Sequence, residues 1–397
     1  MERAFLTPEQ AAVAEAAETV MGRLLPRHRD YLRIIFEEQR FPEEVWEEMA
    51  RAGLLAAMIP EEYGGSGLGL TAMALIMEVF ARHALSNTLV LLTAMDAMAI
   101  LRGGTEEQKR RWLPPIAAGQ LKLAFAITEP DAGTNSFRIR TVARRVDGGY
   151  RLNGQKAWIT GVDVADAVLV VARSIPYADI VAQGLPRQYG MSLFLVDRDT
   201  PGLRLQAMDT VGIEGFRQFQ VFFDDVEVAE DRRIGPEHEG VRLLFHALNP
   251  ERIIGAAIGV GLTGYCLDKA VSYAKERRVF GDTPTGAYQA VQHPLARLRV
   301  LQEAAWMLTL RAAEGFDRGI EPRTVGAWAN MAKYLSAETA FEAIDRAIQT
   351  HGGSGFVKDY YLVQLLAPVR LLKTAPINNE MILNYIAENV LGLPRSY

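Results

Sequence analysis

The sequence carries a single cysteine, Cys266, in 397 residues, which excludes a disulfide framework. On its apolar helical stretch the thiol reads as a small buried hydrophobe, not a reactive group. The six histidines, His28, His83, His238, His246, His293 and His351, form no i, i+4 pair and no Cys/His cluster, so no metal site is expected. No G-x-S-x-G elbow or other nucleophile motif is present. No uninterrupted apolar run reaches the ~18 residues of a transmembrane span. The N-terminus lacks the basic start and apolar run of a secretory signal, which makes a cytoplasmic enzyme the default expectation. A large excess of charge of either sign is also lacking. A net charge of −5 and a pI near 5.8 argue against a nucleic-acid or anionic-membrane role. There is no internal repeat or low-complexity tract.

What is present is ordinary for a large globular protein: 49% hydrophobic and 23% charged residues, over two to three times a single-domain length. The first block reads as helices. Thr7-Pro8-Glu9-Gln10 combines an N-cap, a first-turn proline and a glutamine three residues after the cap. An alanine-rich amphipathic stretch follows to about Leu25, and further helical patterns cover Pro42 to Ala52 and Thr71 to Arg102. From about Leu121 the texture is β, with branched apolar runs at Val168 to Ala172, Ser192 to Val196 and Phe219 to Val228. Asp147-Gly148-Gly149 and Asn153-Gly154 supply turn residues, and Ile175 to Gln188 reads as an exposed loop. Helices return in Arg252 to Arg278, Ala287 to Arg318, Thr324 to Thr350 and Asn379 to Val390. Helices, then strands, then long helices predict an α+β chain and not repeated βαβ units.

Gly259-Val260-Gly261-Leu262-Thr263-Gly264 matches the dinucleotide fingerprint letter for letter. That fingerprint requires a strand before it and a helix opening at its glycines. These glycines lie inside a helical pattern, so they are assigned to close helix packing.

Several segments occur in a telling order. They are Gly103 to Pro114, Phe125-Ala126-Ile127-Thr128-Glu129-Pro130-Asp131-Ala132-Gly133-Thr134-Asn135, Asn153-Gly154-Gln155-Lys156-Ala157-Trp158-Ile159-Thr160, Arg277 to Gly281 with Gln289 to His293, and Gln349 to Phe356. Together the chain resembles the acyl-CoA dehydrogenase flavoproteins almost end to end. The resemblance implies an N-terminal α-helical domain (1–120), a middle β-barrel or sandwich domain (121–231) and a C-terminal four-helix bundle (232–397). It also implies bound FAD, an acyl-CoA substrate, an electron-transferring flavoprotein as acceptor, and a homotetramer.

The residues suit those roles. Phe125 and Ile127 can cover flavin ring surface, while Thr128, Thr134 and the loop's N–H groups can meet its polar edge. In the family the residue matching Trp158 packs near the isoalloxazine and that matching Thr160 bonds near N5. Read without the family, Trp158 is a buried strand tryptophan. Positions matching Arg277, Phe280, Gln289, Gln349, Gly352 and Gly353 hold the FAD of a neighbouring subunit, the arginine by its paired donors and the glycines by close backbone approach. The Phe280-to-Gln289 spacing is one residue longer than the family's. Asn378 and Glu380 complete the implied cofactor set, and Thr134, Asn249 and Arg252 the substrate set.

The family places its catalytic glutamate at one of two positions. Counting twenty residues from Phe356 reaches Pro376, so the usual C-terminal base is absent. Isovaleryl- and long-chain-type members carry the base in an L-D-x-E-R segment, which Leu248-Asn249-Pro250-Glu251-Arg252 resembles with Glu251 in place. Read locally, Asn249-Pro250-Glu251 is a helix start whose dipole favours the carboxylate. Capping and proton abstraction can coexist. Pro376 has no N–H, whereas the family uses the backbone N–H at that position to hold the thioester carbonyl. Other departures fall near the CoA site: Glu214 and Phe216 in Gly212 to Phe216, Ala367-Pro368 for an R-D pair, and Asn249 for aspartate. The leading expectation is dehydrogenation to a trans-2-enoyl-CoA with Glu251 as base. A desulfinase, reductase or oxidase on the same scaffold, or a non-catalytic flavin-binding protein, are the rivals.

Overall fold

The computed structural model describes residues 6–395 other than Glu214 and Phe216, and not the side chains of Phe245, His246 and Ala247. The expectations attached to Glu214, Phe216 and the His246 side chain therefore lie outside the described residues. The chain divides into two compact units. One comprises Glu38–Leu68 and Asn87–Leu248, the other Met1–Glu37, Gly69–Ser86 and Asn249–Tyr397.

The first unit is built on an eight-stranded sheet. Its strands are β1 (Leu123–Ala126), β2 (Val142–Val146), β3 (Gly149–Thr160), β4 (Ala167–Arg173), β5 (Met191–Asp197), β6 (Leu203–Ala207), β7 (Gln218–Ala229) and β8 (Arg233–Ile234). The order is β6-β7-β3-β2-β4-β5-β8, with β1 parallel to β4. Val168, Val170 and Ala172 of β4 enter one core with Tyr150, Leu152, Phe194 and Val221. The alternate residues Ala167, Leu169 and Val171 enter another with Ile100, Trp112, Leu113 and Ile116 from helices Thr88–Gly103 and Glu106–Ala117. Both faces of β4 are thus covered, which is why its sequence is continuously apolar instead of alternating.

Two turn and loop expectations are corrected here. Asn153-Gly154 is not a hairpin turn but lies inside β3, where the β3–β7 register slips. Gly154 has φ 148°, and a Cβ there would fall 2.6 Å from Thr141 Oγ1, so glycine serves a bulge and a close approach. The Ile175–Gln188 segment contains a short helix, Tyr177–Ala182, because Ile180 is fully buried beneath it.

The second unit is helical. Thr7 caps Pro8–Leu24 through the full capping box expected from the sequence. The single helical stretch read from Thr71 to Arg102 is instead two helices, Gly69–Ala81 in this unit and Thr88–Gly103 in the first. Ala84 adopts φ 54°, and the Asn87 side chain accepts from Leu89 N–H to start the second helix. The carboxylate of Asp317 anchors the first turn of Gly69–Ala81, accepting from Leu70 N–H, Thr71 N–H and the Thr71 hydroxyl. Helix Leu362–Leu371, with Pro368 inside it, was not legible in the sequence.

The long helix Gly240–Glu276 begins about ten residues before the start read at Asn249. Pro250 sits inside it and forfeits one helical hydrogen bond, at a cost of ~3 kcal/mol. Burial offsets this: Ile253, Ile254, Ala256, Ala257 and Val260 are fully buried. Its apolar length would match a membrane span by composition, but 89% of that window is buried in the protein. The fingerprint glycines lie within it, as packing requires. A Cβ on Gly259 would meet Ser336 at 3.1 Å, one on Gly261 would meet the Glu78 carbonyl at 2.4 Å, and one on Gly264 would meet Gln302 at 2.9 Å. Three helices therefore approach this one closely on three sides. Cys266 is buried among them, and burial pushes its thiol up to about 12, consistent with a packing role.

Candidate active site

In the β unit, β1 and β3 bring the implied flavin-contacting residues to one face. Ala124, Ala126 and Ile159 point into the strand core, so the alternating side chains of Phe125, Trp158 and Thr160 take the opposite face. Phe125 and Ile127 are half-buried against the helix-covered core. Trp158 is 54% exposed and holds φ 60° at a second slip of the β3–β7 register. The buried-strand alternative for this tryptophan is therefore wrong: the bulge turns its ring outward. A bulky residue in the left-handed region costs on the order of 1–3 kcal/mol and clusters at functional sites. The Thr160 hydroxyl bonds Gln218 at 3.1 Å. The carbonyl of Thr128 accepts from Ala157 N–H at 2.9 Å, which joins the loop to the strand. Thr134 is exposed farther along the same loop.

A buried ion pair that carries no role in the sequence reading holds this face together. Lys156, fully buried, donates to Glu129 Oε1 and to the Ile127 carbonyl, both at 2.9 Å. Glu129 also accepts from Arg140 N–H at 2.6 Å and Thr141 N–H at 2.9 Å. Burial pushes the Glu129 carboxyl upward, but the Lys156 ammonium and these hydrogen bonds outweigh it and leave the carboxyl below its usual range. Lys156 is pulled below the ordinary lysine range by burial. The signal was available: a lysine two residues before Trp158, in a strand whose flanking side chains enter the core.

In the helical unit, Glu251 lies inside Gly240–Glu276, 8% exposed. Mid-helix, it gains nothing from a helix N-terminus, and the expected preference for the carboxylate is reversed. Burial pushes it up to about 7, against the opposing pull of Arg252 and Lys333. Asn249 does not cap the helix either. Its side chain accepts from Arg252 at 3.2 Å and donates to the Pro322 carbonyl at 3.4 Å. Burial also lowers Arg252, which Glu251 and Tyr385 oppose.

One turn beyond Glu251 is Gly255, and a Cβ built there would meet Pro376 Cδ at 4.0 Å. Residues four apart share a helix face, so Pro376 approaches the helix one turn beyond Glu251. The Ala375–Pro376 peptide is cis. Asn378 caps helix Asn379–Asn389 by accepting from Met381 N–H, and Glu380 is exposed in its first turn.

The remaining cofactor candidates gather at one end of the same unit. Arg277 follows the long helix and its carbonyl accepts from Thr285 N–H at 2.7 Å. Phe280 is 78% exposed in the short hairpin Arg278–Phe280/Thr283–Pro284, and Gln289 opens the next helix. Tyr273 stacks on His351 with ring centroids 4.3 Å apart and donates to Ser354 at 3.2 Å. That contact draws the Arg277 turn toward Gly352 and Gly353, with Gln349 exposed on the preceding turn. Gly352 has φ 56°, a conformation that favours glycine. An exposed guanidinium, a carboxamide and glycine backbone suit a pyrophosphate, and the Trp158 face suits a flavin ring. The donor set thus fits FAD.

Family models match three successive parts of the chain: the acyl-CoA dehydrogenase N-terminal domain over 7–120, the middle domain over 124–226 and the C-terminal domain over 238–391. The acyl-CoA dehydrogenase FadE12 of Mycobacterium tuberculosis is 43% identical over 355 residues, 89% of each chain. A glutaryl-coenzyme A dehydrogenase solved with glutaryl-CoA aligns over 98% of this chain and 97% of its own, at 29% identity and a TM-score of 0.89. The FAD complex of PigA aligns over 98% of both chains at 27% identity and a TM-score of 0.88. The chain belongs to the acyl-CoA dehydrogenase family of FAD-dependent oxidoreductases, with all three of that family's domains present.

Proposed function

We propose that the protein oxidises an acyl-CoA thioester to the trans-2-enoyl-CoA with Glu251 as the α-proton base. The observation that carries this reading is a buried carboxylate, Glu251, one helical turn from the glycine that Pro376 approaches, which burial raises to about 7. A base working near neutral pH is most effective when its proton affinity is close to that of the medium, and burial supplies that tuning here. FAD, when bound, supplies the acceptor for the β-hydride. Glu251 takes the α-proton and so becomes a neutral acid, the form its dry setting favours. Arg252 and Lys333 keep enough positive charge nearby for the carboxylate to form first.

Trp158 and Thr160 position the flavin ring, and Arg277, Gln349, Gly352 and Gly353 hold its pyrophosphate end in a partner subunit of a homotetramer. Support for sharing between subunits is the exposure of Arg277, Phe280 and Gln349 at one end of the helical unit. Asn249, Arg252 and Thr134 serve the CoA thioester. Electrons pass to an electron-transferring flavoprotein, in the cytoplasm.

Anaerobic mixing of the FAD-loaded protein with a panel of acyl-CoAs tests the reading. At least one acyl-CoA is expected to bleach the flavin and yield the enoyl product. A second reading, different chemistry on the same scaffold, is favoured by Pro376 alone, because proline removes a donor to the thioester carbonyl. Sulfite release or oxygen consumption on turnover, without bleaching by any acyl-CoA, would select it.

A further inference from the structure

The loop that carries Pro376 is tied down from beneath by a buried lysine. Lys333, on helix Pro322–His351, is 2% exposed. Its ammonium donates to the Ile377 carbonyl at 2.6 Å and to Asn379 Oδ1 at 2.9 Å. The Asn379 amide donates to Glu338 at 2.8 Å, and the other Glu338 oxygen receives Lys373 at 2.7 Å. Asn379 N–H closes the neck of the loop on the Lys373 carbonyl at 3.0 Å. Both ends of the loop are therefore fixed to one helix, two turns of which present Lys333 and Glu338. The tip, Pro376, falls on Gly255.

We propose that Lys333 is a positioning residue for proton transfer, holding the Pro376 loop against the helix face of Glu251 and supplying positive charge to that face. This rests on the assignment of Glu251 as base. Loop anchoring alone does not call for a cation, since a neutral donor can bond a carbonyl and a carboxamide. A buried ammonium costs several kcal/mol in desolvation, and neither direct partner is a carboxylate. Burial and the neighbouring Arg252 lower Lys333 to about 8, while Glu338, Glu380 and Glu251 oppose that shift. Among the described residues, the charged groups acting on Glu251 are Arg252 on its own helix and Lys333 on helix Pro322–His351, both of which favour the carboxylate. Tyr385 acts on Arg252 from helix Asn379–Asn389. Lys333 is the group that joins the two functions, because it bonds the loop and also acts on the base.

The test compares Lys333→Met, Lys333→Gln and Lys333→Arg in the FAD-loaded protein, using an acyl-CoA that bleaches the parent flavin. The pH profile of kcat/KM and the single-turnover rate of flavin reduction are measured. The parent profile is expected to fall on the acid side near pH 7. Loss of the charge in Met or Gln moves that limb up by about one pH unit and slows reduction about tenfold or more. The arginine variant retains the parent limb. An unshifted limb in the Met or Gln variant overturns the proposal. So does failure of both uncharged variants to load FAD, which would assign Lys333 to folding alone. Glu251→Gln is the control: if it reduces flavin at the parental rate, the base assignment is what has failed.

Discussion

Replacing Glu251 with glutamine should stabilise the protein above neutral pH while leaving its stability in acid nearly unchanged. Glu251 is raised from an ordinary value of 4.5 to about 7, an upward shift of two to three units. Each unit is worth about 1.36 kcal/mol. A raised carboxyl contributes stability that is fully present below the unfolded value and is lost as pH rises through the folded value. The loss therefore develops between about pH 4.5 and 7. At pH 8 it reaches about 3 kcal/mol, and at pH 5 it is under about 1 kcal/mol. The attraction of Arg252 and Lys333 is already contained in the net shift, so their presence does not reverse the sign. Glutamine keeps the shape and removes the charge. Urea midpoints for parent and Glu251→Gln, both saturated with FAD, measure the difference at pH 5 and pH 8. Equal midpoints at pH 8, or a weaker variant there, would refute the claim that burial dominates this carboxylate. The expected result is a stability–function trade-off of the kind active sites impose.

Breaking the Lys156–Glu129 pair should do the opposite. Glu129→Ala leaves a fully buried ammonium without its counter-charge and two backbone N–H groups without their acceptor, costing about 3–5 kcal/mol and loosening the Trp158 face. Thermal unfolding and FAD content check this; unchanged FAD retention with a lowered Tm would confine the pair to stability. Pro376→Ala restores an N–H at the tip of the loop. If the thioester carbonyl lacks that donor, flavin reduction accelerates, with ~10²–10³ as the ceiling set by a full oxyanion donor. An unchanged rate would show that another group, such as Ile377 N–H, already holds the carbonyl. Asp317→Asn should lower stability by about 1–2 kcal/mol through the weakened start of helix Gly69–Ala81, without altering the reduction rate per bound flavin.

The fold was legible wherever local pattern and burial agree. The capping box at Thr7 needs only four residues, and the apolar runs of β4, β5 and β7 follow from burial of their core faces. The packing role of Gly259, Gly261 and Gly264 was also readable, since a helical pattern runs through them. Legibility failed where long-range packing overrules a local signal. Asn249-Pro250-Glu251 has the composition of a helix start, yet the burial of a long apolar helix carries it straight through the proline. Asn153-Gly154 has the composition of a hairpin turn, yet pairing with β7 keeps it in a strand. At the site, Glu251 and Pro376 could be located by register against the family, but not the approach of Pro376 to Gly255, one turn beyond Glu251, which depends on tertiary packing. The partners of Lys333 were not legible, because one charged residue in a helical stretch does not reveal what it meets. The Lys156–Glu129 pair showed only as a lysine in a strand that enters the core.

The central claim, that Glu251 is the α-proton base, is tested most directly by anaerobic rapid mixing of FAD-loaded Glu251→Gln with an acyl-CoA that bleaches the parent flavin. The account predicts that reduction slows by ~10²–10⁴ at unchanged FAD content. Bleaching at the parental rate would contradict it.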